Sequence, residues 1–397
     1  MLSGSLALAI AAFTSIQNVC IAVFTVALLT ILYVLFGYPL LLGVIARRHN
    51  HPIAKDEKLR SVSIILPVRN GAKFIGRKLE SLLALNYPRE LVEIVVVSDD
   101  SEDATDDVAR QFEGQGVRLL RVARGGKSAA INQGVPITSG EILVFTDARQ
   151  AVDADALRNL VACFGDPAIG AVSGQLSIVD EQSHEEMNTS LYWKYELWLR
   201  TRMCRIDSSF GTTGAFYGLR RSLWQPFPAG VLLDDAYLPL RAAFFKGYRV
   251  IYEPAAKMFD FPTALHSEFR RKVRTQAGLY QLLKLMPELL SSRNRMRLHF
   301  LSGKYGRTVV PHCLILTALA TFGLPPGFRM WAAFGQAAFY FAAVIDPVIP
   351  ANFFLKKITS PIRTFVVLMA AAFVALRIFF VSPTTLWKET KVRHTAA

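Results

Sequence analysis

Acidic side chains close three apolar stretches of this chain. Asp99 and Asp100 end "VEIVVVSDD", Asp147 ends "EILVFTD", and Asp234 and Asp235 follow "GVLL". Carboxylates at the ends of buried strands can hold a divalent cation, accept hydrogen bonds from a ligand, or take a proton as a general base. Lys127, in "RVARGGKSA", could neutralise a phosphate. It is not part of a P-loop, because the glycine required five residues before Gly126 is Arg121. Asp234 and Asp235 also have a plainer reading. They precede a helix expected over Ala236 to Lys246, where an acid can serve as a cap.

The elements around these residues alternate. "SVSIILPV", "VEIVVVSDD", "GVRLLRVA", "EILVFTD" and "IGAVSGQLSIV" read as strands; "AKFIGRKLESLLAL", "DATDDVARQF", "GKSAAINQGVPI" and "DALRNLVACF" read as helices. Short connections between them predict a mostly parallel sheet flanked by helices. Ligands of such sheets bind at the carboxyl ends of the strands. Arg69 and Asn70, Asp99 and Asp100, and Asp147 stand there.

The rest of the chain is apolar. Its 397 residues are 52% hydrophobic, with a mean hydropathy of +0.30. Val19 to Ile45 holds no charged residue and is long enough to cross ~30 Å of hydrocarbon. Three further runs, Val309 to Leu324, Met330 to Ile349 and Phe365 to Val381, predict a multi-pass membrane protein. The net charge of +14 comes largely from residues beside these runs. Basic clusters after the first run and before the second place residues 46 to 307 on the cytoplasmic side, and argue against nucleic acid as the partner. Lys388, Lys391 and Arg393 in the tail run against the same rule. Cys20, Cys163, Cys204 and Cys313 have no metal-ligand spacing and fit a reducing compartment.

In their order, "SIILPVRN", "VVVSDDSED", "GKSAAINQG", "VFTDA", "GAFYGLRR", "LLDDAYLPLRAAFFKGYRVIYEP" and "FRRKVRTQAG" resemble the membrane-integrated branch of family 2 glycosyltransferases, which includes cellulose, hyaluronan and poly-N-acetylglucosamine synthases. The resemblance covers residues ~60 to 280. It implies an α/β GT-A fold inserted between transmembrane helices. The organisation expected is an N-terminal transmembrane helix over 1–46, the GT-A domain over 58–265, basic interfacial helices over 266–307 and about three transmembrane helices over 308–385.

It also implies roles. Asp99, Asp100, Lys127 and Arg69 would contact a UDP-sugar. Asp147 would bind Mg²⁺ or Mn²⁺, and Asp235 would be the catalytic base. Asp234, Arg271, Lys272 and Arg274 would serve the acceptor and diphosphate side. The product would carry a β-glycosidic bond on a growing polysaccharide or a polyprenyl-lipid-linked glycan, with an export partner or a homo-oligomer completing a pore. Departures exist. Arg149 replaces the second acid of the family's Asp-x-Asp, and would pair with Asp153 or touch the donor. Thr275 replaces the tryptophan of Gln-x-x-Arg-Trp. These two favour an alternative, a catalytically silent membrane scaffold that keeps the fold.

Overall fold

The computed structural model describes residues 2–179, 191–261, 265–350 and 352–381. The basic tail residues Lys388, Lys391 and Arg393 lie outside them. The chain divides into two compact units. One comprises Met1–Val44, Phe269–Ala277 and Leu298–Phe379; the other comprises Ile45–Glu268, Gly278–Arg297 and Phe380–Ala397.

The second unit is built on one sheet. Its strands are β1 (Val62–Val68), β2 (Val92–Asp99), β3 (Val117–Val122), β4 (Ile142–Thr146), β5 (Ala151–Val152), β6 (Ile169–Ile178), β7 (Phe216–Arg220) and β8 (Arg249–Asp260). They lie in the order β3-β2-β1-β4-β7-β6-β8-β5. Every residue of β1 and of β4 is buried. A strand covered on both faces must be apolar throughout, which is why these segments read as unbroken apolar runs. Helix Ala72–Leu83 lays Ile75, Leu79 and Leu82 on one face of the sheet. Helix Lys127–Gly134 covers the other, where Gly134 lies so close to Val97 and Ile65 that a Cβ would clash.

The sheet is mixed, with four of its seven strand pairs parallel. β1 to β4 are parallel neighbours and β6 is parallel to β8, but β7 runs antiparallel to both β4 and β6, and β5 runs antiparallel to β8. The reversal has a structural consequence. Thr146, the last residue of β4, pairs with Phe216, the first of β7. The "GTTGA" loop entering β7 is thereby delivered to the carboxyl end of β4, beside Asp147.

In the other unit, Leu2–Leu32, a π-helical turn at Tyr33–Gly37 and Tyr38–Arg48 follow one another as successive helical segments. Among the described residues three helical segments are long and apolar enough to cross a membrane: Thr14–Arg48, Pro326–Val348 and Lys356–Phe379. The remaining expected span, Val309 to Leu324, falls on helix Gly306–Thr321, which continues directly from a π-helical turn at Phe300–Tyr305 and is not one of these three. Val310 and Cys313 of this helix cluster with Ala27, Ile31 and Val34, and Ala320 clusters with Phe24.

Candidate active site

Lys127 stands at the centre of the site. Gly126 precedes it with φ +83°, a conformation that favours glycine, and the helix begins at Lys127 itself. The Lys127 ammonium lies 2.8 Å from Asp147 Oδ1 and 2.9 Å from Asp234 Oδ2. Burial works against the charge, but the Asp147 and Asp234 carboxylates outweigh it and hold the ammonium well above the ordinary lysine value. Lys127 is therefore a fixed cation rather than a surface lysine.

Asp234 and Asp235 open helix Asp234–Leu238, yet neither side chain caps it. Asp234 is turned to Lys127, while Asp235 Oδ2 accepts the Gly214 N–H at 3.0 Å. The Asp235 carbonyl takes the Thr212 N–H and hydroxyl, both at 2.8 Å. A Cβ on Gly214 would stand 3.2 Å from Asp235 Oδ2, so the loop approaches this closely only with glycine there. The capping alternative is removed by this geometry.

The residues expected on the donor side form a second group at the ends of β1 and β2. Asp99, 5% exposed, accepts the Gly125 N–H at 2.7 Å and the Gly126 N–H at 3.0 Å. Arg69 donates to the Asp99 and Asp100 carbonyls, both at 3.0 Å, and pairs with Glu102. Asp100 pairs with Arg121 at 2.9 Å. Asn70 and Asp100 both adopt positive φ, +49° and +51°. The two strand ends are thus sharply turned and cross-linked.

Arg149 pairs with a different acid from the expected Asp153. It turns inward to Asp260, the last residue of β8, at 2.5 Å. Gln150 Nε2 reaches the same Asp260 oxygen at 2.9 Å. From the opposite side, fully buried Lys78 donates to the Thr146 hydroxyl at 2.7 Å and the Gln150 carbonyl at 2.8 Å. Burial pushes the Lys78 ammonium down to about 7, with Asp147 offsetting part of that effect. The loop carrying Asp147 is therefore clamped on both flanks by buried polar groups, while Asp147 itself is 40% exposed.

Among the described residues no three His, Cys, Asp or Glu side chains gather as a ligand set. That does not conflict with Mg²⁺ or Mn²⁺ as expected from the sequence. Mg²⁺ in phosphate-handling sites commonly takes one or two protein carboxylates and completes its shell with substrate phosphates and water. The open Asp147 carboxylate, with Asp234 on the same ammonium, fits such a demand.

The structure brings Lys127, Asp147 and Asp234 together directly, and sets Asp235 beside Asp234 in the chain. Asp99 joins this group through the Gly125–Gly126 backbone. Arg271, Lys272 and Arg274 lie on helix Leu265–Leu285, in the part belonging to the other unit. Sequence reasoning missed three residues. Asp260 ends an apolar strand, as Asp147 does, and the same rule would have found it. Lys78 falls at helical spacing with Ile75, Leu79 and Leu82, a cation on an apolar face. Tyr217, buried inside "GAFYGLRR", gave no signal beyond being aromatic.

Comparison with known proteins bears on the fold that carries these residues. The model of glycosyl transferase family 2 matches residues 63–226. Beta-monoglucosyldiacylglycerol synthase of Trichormus variabilis is 30% identical over 269 residues, 64% of this chain and 56% of that protein. Poly-beta-1,6-N-acetyl-D-glucosamine synthase of Staphylococcus aureus is 24% identical over 243 residues, 58% of each. The chain thus spans little more than half the length of these relatives. Mannosyltransferase PcManGT of Pyrobaculum calidifontis, solved with GDP-Man and Mn²⁺, superposes with a TM-score of 0.71 at 22% identity, covering 92% of this chain and 99% of that one. That likeness establishes a shared fold. The region that matches glycosyl transferase family 2, residues 63–226, carries Asp99, Lys127 and Asp147.

Proposed function

We propose that the chain is a membrane-bound inverting glycosyltransferase. It takes a sugar from a UDP-sugar and joins it through a β-glycosidic bond to a growing polysaccharide or a lipid-linked glycan. The observation that carries this reading is the Lys127 ammonium held between Asp147 and Asp234, with Asp235 next in the chain. A departing nucleoside diphosphate needs fixed positive charge, and an incoming hydroxyl needs a base.

Asp235, oriented by the Gly214 N–H, takes the proton of the acceptor hydroxyl. The hydroxyl oxygen bonds to the anomeric carbon as the bond from that carbon to the phosphate oxygen breaks. One displacement inverts the centre, so an α-linked donor gives a β-linked product. Lys127 supports the negative charge that passes to UDP. A divalent ion at Asp147 would add charge neutralisation on the diphosphate. Asp99 shapes the Gly125–Gly126 turn that presents Lys127, and Arg69 and Asp100 fix the neighbouring turns that would face the nucleotide. Arg271, Lys272 and Arg274 supply basic charge for the acceptor and diphosphate side.

The three apolar helical segments, and synthases of a glucosyldiacylglycerol and of a polysaccharide among the relatives, support action at a membrane, and the basic clusters beside the apolar runs support a cytoplasmic catalytic unit. The alternative, a catalytically silent scaffold, rests on Arg149 and Thr275 standing at motif positions, and one test decides between the two. The test is transfer by the purified full chain from a panel of UDP-sugars with Mn²⁺. Asp235→Asn is expected to lower kcat by about 10²–10⁴-fold while UDP still binds. Equal rates for the two proteins would sink the enzyme reading.

A further inference from the structure

Tyr217 is fully buried on β7, opposite Phe145 of β4, with ring centroids 4.9 Å apart. Phe145 in turn pairs with Ile65, on the face covered by helix Lys127–Gly134. Side chains alternate along a strand, so Phe145 and Asp147 point to that same face. The Tyr217 hydroxyl has no hydrogen-bond partner among the described residues. Its surroundings are acidic. Burial first, then the Asp234, Asp235 and Asp147 carboxylates, raise it well above the ordinary tyrosine value, so it keeps its proton.

Asp234 Oδ2 is buried and has the Lys127 ammonium, 2.9 Å away, as its one charged donor. One acidic cluster therefore contains a buried hydroxyl donor without an acceptor and a carboxylate held by a single ammonium. The unpartnered hydroxyl lowers stability, and phenylalanine would remove it at no cost in packing volume. Such a group calls for an explanation in what the site does.

We propose that Tyr217 is a positioning residue for donor binding: when Lys127 turns to the diphosphate of a nucleotide sugar, the Tyr217 hydroxyl donates to Asp234 and holds that carboxylate in place. The inference rests on the nucleotide-sugar reading above. Without it, Asp234 would lose its counter-ion and face Asp235 and Asp147 with nothing to fix it.

The experiment measures binding of UDP, and separately of GDP, with Mn²⁺ to the full chain in detergent by calorimetry. Thermal unfolding without ligand is recorded in parallel. Tyr217→Phe is expected to unfold at the same temperature or higher, yet to bind the nucleotide about tenfold more weakly, with a larger effect on KM than on kcat. In an Asp234→Asn background the same substitution is expected to change affinity less than twofold. Tyr217→Phe binding within twofold of wild type overturns the proposal while leaving the donor reading standing. So does an undiminished effect in the Asp234→Asn background. Failure of wild type to bind either nucleotide overturns both.

Discussion

At the ends of β1 and β2 the acids serve the protein's own backbone. Asp99 accepts two amide N–H groups, Arg69 donates to two carbonyls, and Asp100 pairs with Arg121. At the ends of β4 and β7 the same residue types converge on one another. Lys127 carries two carboxylates, Asp147 is open to solvent, and the Tyr217 hydroxyl retains unfilled hydrogen-bonding capacity. The first region is a satisfied scaffold that fixes turn shapes. The second holds charge in an arrangement that a ligand would improve. Strand-end acids are equal in a sequence, but what distinguishes them is whether the fold has already given them partners.

Lys127→Met is the most severe challenge to that contrast. It removes the counter-ion from Asp147 and from Asp234, which is only 10% exposed, and with it the fixed charge on the leaving side. Transfer is expected to fall by about 10³-fold in kcat/KM. Measured with saturating donor and metal, a loss below tenfold would mean that the two regions do not differ in the way described.

Arg149→Asp tests the boundary of the reactive region next. It restores the Asp-x-Asp spacing, so a reading based on motif alone expects tighter metal binding. The structure argues the reverse. Asp260 is 2% exposed and would face a second carboxylate where it now has a guanidinium. Breaking such a buried pair costs about 3 kcal/mol or more. A drop in the denaturation midpoint without a gain in Mn²⁺ affinity is the expected result. A tighter metal site with unchanged stability would overturn the clamp.

Asp99→Ala sharpens the satisfied side. Loss of hydrogen bonds to a charged acceptor costs about 1–3 kcal/mol, because the Gly125 and Gly126 amides lose their partner. UDP affinity should fall together with stability. Weaker UDP binding at unchanged stability would instead mean that Asp99 meets the nucleotide directly, and would move it to the reactive side.

Much of this was legible beforehand because burial writes itself into composition. The unbroken apolar runs of β1, β2 and β4 and the periodic face of Ala72–Leu83 predict their elements without a template. Asp147, Lys127 and Asp234 were found by type and position, and the structure brings them together. Pairing direction was not legible, since β7 has the same apolar content whether it runs parallel or antiparallel to β4. The partner of Arg149 lies 111 residues away, and no local pattern encodes such a contact. Lys78 was passed over because a lysine is expected outside unless paired, and its acceptors are backbone and hydroxyl groups from a distant segment.

Lys78 gives the finest test, on the satisfied flank of the reactive loop. Its folded value of about 7 lies below the ordinary 10.5, the reverse of a lysine held by a carboxylate. Below about pH 7 both folded and unfolded chains carry the proton, and the folded state bears the full penalty of a buried ammonium. Above it the folded chain sheds the proton that the unfolded chain keeps, so stability rises with pH, by at most about 1.4 kcal/mol per pH unit. Cys163, whose thiol burial raises from 9.0, opposes the trend only above that point, which leaves a window from about pH 7 to 9. In that window the unfolding midpoint of wild type should climb and that of Lys78→Met should stay flatter. Equal slopes would mean that Lys78 keeps its proton, and that the Asp147 loop is braced by an ammonium rather than by a neutral amine.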